Sequence, residues 1–189
     1  SGRVANMTIK PAPADTGIMF RRTDIGEDAY VPALAENVSS TARSTTISCG
    51  EASVMTIEHV LSALTGMGVD NAIIDIDNVE VPILDGSAKP YIDAIWADGF
   101  DIQDAPRRYI EIKETVEIRN EEKGSVVRIE PADEFSYNIK IDFNSRVLGV
   151  QHAVWNKDTV YAKQVGTCRT FVFFHELEFL FNNGLVKGG

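Results

Sequence analysis

The stretch Thr56-Ile57-Glu58-His59-Val60-Leu61-Ser62-Ala63-Leu64-Thr65, followed by Gly66 and Gly68 and then by Ala72-Ile73-Ile74-Asp75-Ile76, decides how the first half of this chain folds. Ile57, Val60, Leu61 and Leu64 recur at helical spacing and make one apolar stripe, so the pattern predicts a helix over about Thr56 to Thr65. The two glycines stop it, and Ala72 to Ile76 reads as a short strand. Downstream, Val81 to Leu84 is an extended piece halted by Asp85, Gly86 and Ser87. A second helix is expected from Ala88 to Ala97, capped by Ser87, with Pro90 in its first turn and Tyr91, Ile92, Ile95 and Trp96 as its packing face. Upstream, Val4 to Lys10, Ile18 to Arg22 and Thr45 to Cys49 read as strands, whereas Tyr30 to Ser40 shows no regular period. Strands combined with two helices in the first hundred residues predict an α+β domain of two layers, helices covering one sheet face.

Asp101 to Arg108 is polar, contains Pro106 and marks the expected boundary between a first domain at 1–104 and a second at 105–189. Beyond it the period returns to two. Ile110 and Ile112, then Val116 and Ile118, lead to a turn at Glu121 to Gly124, and Val127 and Ile129 lead back. Phe135, Tyr137, Ile139, Ile141 and Phe143 alternate with polar residues without a miss, and this strand is expected to line a second core. Helices are expected at Asp158 to Val165 and at His175 to Asn182, the latter stopped by Gly184. The strands-then-helices order therefore occurs twice. Ending on Gly188 and Gly189, the second unit reads as incomplete.

The 189 residues suffice for one large domain or two small ones. An apolar share of 44% with 24% charged residues excludes a disordered chain and a membrane-embedded one. No apolar run approaches the roughly 18 residues of a span, and no secretory leader is evident. The net charge of -10 disfavours non-specific binding to nucleic acid or anionic lipid. Cys49 and Cys168 form no CxxC pair or spaced framework, so they read as two buried thiols in a reducing, cytoplasmic setting.

Three histidines, His59, His152 and His175, bound any metal chemistry. Glu58 and His59 are adjacent, so they cannot form the i, i+4 clamp of an H-E-x-x-H site. Adjacency does allow His59 to bind a metal while Glu58 reaches a metal-bound water. Taken on residues alone, a surface glutamate beside a partly buried histidine is the plainer reading. Thr170, ahead of the apolar run Phe171, Val172, Phe173 and Phe174, could donate to an oxyanion at the mouth of a groove holding a fatty chain. A buried strand with a satisfied threonine is the plainer alternative. Asp85, Gly86 and Ser87 open a helix and need no ligand; Arg21 and Arg22 point to opposite faces of a strand.

Several ordered stretches nevertheless resemble one family. Thr56-Ile57-Glu58-His59, Gly68-Val69-Asp70-Asn71, Pro82-Ile83-Leu84-Asp85-Gly86-Ser87-Ala88, Arg169-Thr170-Phe171 and Gly188-Gly189 all resemble the UDP-3-O-acyl-N-acetylglucosamine deacetylases of lipid A synthesis. Lys10-Pro11-Ala12-Pro13 and Arg21-Arg22-Thr23-Asp24 join them. The wording from Cys168 to Glu178 is similar to the form fused to a hydroxyacyl-carrier dehydratase.

That resemblance implies two similar two-layer α+β domains with helix layers face to face, the second incomplete here. It implies zinc-dependent hydrolysis of the N-acetyl group of a UDP-linked, 3-O-acylated glucosamine. His59 would bind Zn2+, Glu58 would activate water, Thr170 would hold the oxyanion, and Phe171 with Phe173 would line the acyl passage. The remaining zinc ligands would lie beyond this chain, because neither His152 nor His175 matches them. The expected partners are therefore the UDP-sugar and the remainder of the same enzyme, covalent or separate, and this chain alone is expected to be inactive. The alternative is a non-catalytic binding or scaffold protein on the same fold.

Overall fold

The computed structural model describes residues 2–184. They form an α+β structure that falls into two compact units, residues 2–105 with 161–184, and Pro106–Val160.

In the first unit, β1 (Met7–Pro11), β2 (Ile18–Arg22), β3 (Tyr30–Pro32), β4 (Val38–Ser40), β5 (Thr46–Cys49) and β6 (Ala52–Met55) precede α1 (Glu58–Gly66), β7 (Ala72–Ile76) and α2 (Lys89–Asp98). β7 explains the arrangement. Ile74 and Ile76 are fully buried while Asp75 between them faces outward, which is the period-two signature of a strand with one covered face. It sits second in the sheet β1-β7-β2-β3, antiparallel to β1 with Met7 opposite Ile76, and parallel to β2 with Phe20 opposite Ile74. A separate meander, β4-β5-β6, contributes Ile47 and Val54 to the same core. α1 adds Val60, Ala63 and Leu64 to it, and α2 adds Tyr91, Ile92 and Ile95. Full burial of each such aliphatic side chain is worth about 1.5–3 kcal/mol.

The short α3 (Tyr161–Gln164) also belongs to this core through one side chain. Tyr161 is buried, and its hydroxyl lies 2.6 Å from Ser62 Oγ on α1. Its ring rests where a Cβ on Gly66 would stand, 2.2 Å away, so only glycine lets α1 and the tyrosine approach this closely. Gly166 meets Ile92 of α2 in the same manner. Tyr161 and Gly166 pack residues 161–184 into the first compact unit.

The second unit consists of two hairpins. β8 (Val116–Asn120) pairs with β9 (Ser125–Ile129) across the expected turn, and β10 (Tyr137–Asp142) pairs with β11 (Val150–Trp155). Ile110 and Ile112 form no strand. The clean alternation in β10 is present, but it lines no core here: Ile139 is 48% exposed, and no residue of 106–160 is buried. Phe135, Tyr137 and Trp155 pack on one another instead, with the tyrosine and tryptophan rings stacked at 5.3 Å.

Other boundaries moved. α1 starts at Glu58 rather than Thr56, because Thr56 has φ of 61° and cannot be helical. The helix expected over Asp158 to Val165 shrinks to α3. Both cysteines are exposed, not buried: Cys49 ends β5 at the turn into β6, and Cys168 follows the turn after α3, outside any helix or strand. The final helix, α4 (Phe174–Asn182), agrees with its pattern, and Gly184 follows it with φ of 62°. Gly188 and Gly189 lie outside the described residues.

Candidate functional site

Glu58 and His59 occupy the first two positions of α1, both half-buried. The head of this helix is set by the chain reversal at Thr56. Its N–H donates to Thr45 O at 3.0 Å, and the Thr45 N–H in turn donates to Glu58 Oε2 at 3.2 Å. The Glu58 carboxylate is therefore tethered to the segment leading into β5 instead of hanging free in solvent.

A second group of residues gathers at the turn before α2. Asp85 Oδ1 accepts from both the N–H and the hydroxyl of Ser87, at 3.0 and 2.7 Å, and Ser87 Oγ accepts the Lys89 N–H. The expected capping by Ser87 is thus realised one position further out, with α2 starting at Lys89. These bonds from Ser87, together with the nearby Arg169 cation, hold the Asp85 carboxyl below its ordinary range. Arg169 reaches Asp85 Oδ2 at 3.2 Å, and the Thr170 N–H donates to Gly86 O at 2.8 Å. Gly86, at φ of 78°, presents that carbonyl, and Thr170 Cγ2 closes over it. The structure accordingly fixes Arg169 and Thr170 against the Asp85–Ser87 turn and leaves the threonine exposed. The buried-strand alternative for this segment fails, since residues 169–173 belong to no strand and residues 169–172 are exposed.

The aromatic run lies open. Phe171 is 56% exposed and packs edge-on against the half-buried Phe173, their ring centroids 5.4 Å apart; Phe173 stacks on His175 at 5.3 Å. Glu176 caps α4 by accepting the Phe173 N–H at 3.1 Å, and Arg43 stands 3.7 Å from its other oxygen. His152 belongs to the other compact unit, where it bonds Asn138 within the β10–β11 hairpin.

Among the described residues, no three His, Cys, Asp or Glu side chains form a group able to hold a metal ion. His59 is a single donor, and a zinc site needs three or four.

The model of the LpxC family, UDP-3-O-acyl N-acetylglycosamine deacetylase, matches residues 1–189. The chain belongs to this deacetylase family. It is 40% identical to the UDP-3-O-acyl-N-acetylglucosamine deacetylase of Teredinibacter turnerae, with all of this chain and 63% of that protein covered. It is 39% identical to the bifunctional enzyme LpxC/FabZ of Chlorobaculum tepidum and 40% identical to that of Porphyromonas gingivalis, covering 40% and 41% of those proteins. The chain thus spans less than two thirds of the length of each of these deacetylase relatives. No described helix is long and apolar enough to cross a membrane.

Three contributors to the candidate site had no signal in the sequence. Thr56 in a left-handed conformation, Thr45 as a backbone link to Glu58, and Glu80 as acceptor of the Thr56 hydroxyl at 3.2 Å all depend on tertiary pairing. Tyr161 falls inside the helix expected over Asp158 to Val165, with nothing in the sequence to single it out.

Proposed function

We propose that this chain is the part of a zinc-dependent deacetylase that supplies the water-activating base, one zinc ligand and the oxyanion donor. The whole protein would hydrolyse the N-acetyl group of a UDP-linked, 3-O-acylated glucosamine, the committed step of lipid A synthesis, in the cytoplasm. The observation that carries this reading is the tethered Glu58 carboxylate beside His59 at the head of α1. A base must be held where it can take a proton from water, and the Thr45 N–H holds it. His59, with donors outside the described residues, would hold zinc, which would supply a Lewis acid for the amide carbonyl and for water. Thr170, exposed and fixed by its backbone to Gly86, has its hydroxyl available to the charge that develops on the attacked carbonyl. The exposed ring of Phe171, with Phe173 beside it, offers apolar surface to the acyl chain. The same reading divides the chain into domains at 1–104 and 105–189, supported at its start by the break between compact units at Ala105 and Pro106.

The test uses the full-length protein and acetate release from the UDP-sugar. Glu58→Gln should keep the metal and lose roughly 10²- to 10⁴-fold in kcat, the usual worth of a general base. His59→Ala should lose the metal. Thr170→Val should lower kcat roughly 10- to 1,000-fold with little change in KM, and Phe171→Ala should slow only long-chain substrates. Equal metal retention in the first two variants would reverse their roles. The isolated 189 residues should bind zinc weakly and turn nothing over; absence of acetate release from the full-length protein would favour a non-catalytic binding protein on this fold.

A further inference from the structure

Thr56 is a β-branched residue with φ of 61°, a conformation that L side chains rarely adopt and that glycine adopts freely. It is buried, at 7% exposure, and stands two residues before Glu58. Such a conformation persists only where the surroundings over-determine it. Here three restraints converge. The preceding Met55 is clamped to the extended segment before α2, its N–H donating to Val79 O at 2.8 Å and its carbonyl accepting from the Val81 N–H at 3.0 Å. The Thr56 N–H is taken by Thr45 O. The Thr56 hydroxyl donates to Glu80 Oε1 at 3.2 Å, and Glu80 lies between the two residues that clamp Met55.

The Thr45 peptide makes this turn matter to the site. Its carbonyl holds Thr56, and its N–H holds the Glu58 carboxylate. If Thr56 relaxed to an ordinary φ, the chain would leave β6 in another direction, and the same motion would take Glu58 away from its tether. Glycine at this position would need no such help, but it would also lack the hydroxyl through which Glu80 acts.

We infer that Glu80 is a positioning residue: through the Thr56 hydroxyl it holds the left-handed turn that sets Glu58 and His59 at the head of α1. The inference rests on the deacetylase reading for its consequence in catalysis, but the turn itself can be measured without turnover.

In the full-length enzyme, Glu80→Leu removes the acceptor and Thr56→Val removes the donor while keeping the strained, branched side chain. Each should lower kcat roughly tenfold, about the worth of one hydrogen bond to a charged group, and leave KM nearly unchanged. The two together should cost no more than either alone. Glu80→Gln keeps an acceptor oxygen and should retain kcat within about threefold. Thr56→Gly accepts the left-handed turn unaided, so Glu80→Leu placed on top of it should cost little further. Kinetics are normalised by folded fraction, so a loss confined to stability, with kcat per folded molecule intact in Glu80→Leu, overturns the inference. So does a loss of the same size in the Thr56→Gly background, which would mean that Glu80 acts by another route. If wild type releases acetate and Glu58→Gln does not, these failures fall on the inference alone. If wild type releases none, amide exchange decides: faster exchange of the Thr56 and Thr45 amides in Glu80→Leu supports the positioning role, and unchanged exchange refutes it.

Discussion

The two compact units use strands of similar pattern to opposite ends. β7 in the first unit and β10 in the second both alternate apolar and polar residues, yet Ile74 is fully buried whereas Ile139 is 48% exposed. Alternation specifies which face of a strand is apolar; it does not specify that anything covers that face. In the first unit α1 and α2 share a core with β7, and Tyr161 adds to it from the far end of the sequence. In the second, each hairpin has only its partner strand and, in β10–β11, a small group of stacked aromatics.

The largest expected effect tests that contrast directly. In the 189-residue chain, Ile74→Ala should destabilise the first unit by about 2–5 kcal/mol, since a fully packed site keeps most of the cavity. Ile139→Ala should cost under about 1 kcal/mol, because half of its surface already meets water. Chemical denaturation followed by site-resolved hydrogen exchange reads both. Equal costs in the chain would break the comparison. A cost at Ile139 that rises toward the Ile74 value only in the full-length protein would sharpen it, by showing that residues outside the chain cover the hairpin.

Next in size is the close approach of α1 to Tyr161. Gly66→Ala places a methyl group where the ring now stands, 2.2 Å from its nearest atom, and overpacking of this kind costs about 1–3 kcal/mol. The loss should appear in the first unit, with residues 161–166 exchanging faster together with α1, and the hairpins should be unaffected. If the hairpins loosened instead, the grouping of residues 161–184 with the first unit would be wrong.

How much of this was legible in the sequence follows from the range of the forces involved. The helical stripe of Val60, Leu61 and Leu64, the alternation of Ile74 and Ile76 and the turn at Glu121 to Gly124 are local patterns, and all appear where the sequence put them. The short strands β3, β4 and β6 were not readable as such, because a run of three or four residues has too few positions to show a period. Burial of the β10 face was expected and is absent, since covering a face depends on what else packs there. Within the site, Glu58, His59 and Thr170 were singled out by resemblance to a family and not by periodicity. The structure adds their supports: the Thr45 tether, the Thr56 turn and the Gly86 carbonyl. Those are hydrogen bonds between residues 11 to 84 positions apart, to which no local pattern points.

A smaller effect is expected at the Tyr161 hydroxyl. Its short contact with Ser62 joins α3 to α1, and Tyr161→Phe removes that bond while leaving the ring in place over Gly66. The expected cost is about 0.5–1.5 kcal/mol. Thermal unfolding of this variant beside Gly66→Ala separates the bond from the packing: a cost equal to that of Gly66→Ala would mean that the ring, too, had moved.

The smallest effect concerns charge, and again sets the sheet against the hairpins. Asp75 projects from the outer face of β7, where Arg21 donates two hydrogen bonds to it at 2.7 and 2.6 Å and Lys10 forms a further ion pair. The Arg21 bonds, opposed in part by burial and reinforced by Lys10, hold its carboxyl below the ordinary 3.8. A carboxylate whose folded value is depressed stabilises the fold in full above its unfolded value and loses that contribution as pH falls through the folded one. Asp75→Asn keeps the shape and removes the charge, so the stability gap between wild type and variant should be constant near neutral pH and should close below about pH 4. Its size at neutral pH should sit near the upper end of the 0–1 kcal/mol typical of partly exposed pairs, because two cations share one carboxylate. Glu117 in the β8–β9 hairpin also has two arginine neighbours, Arg119 at 2.7 Å and Arg128 at 3.9 Å, but both are more than half exposed. Glu117→Gln should therefore change stability by no more than a few tenths of a kcal/mol. Urea unfolding of both variants from pH 2 to 8 checks the pair: a gap for Asp75→Asn that widened on acidification would have the wrong sign for an ionised, cation-held carboxylate and would remove this cluster from the account of the sheet.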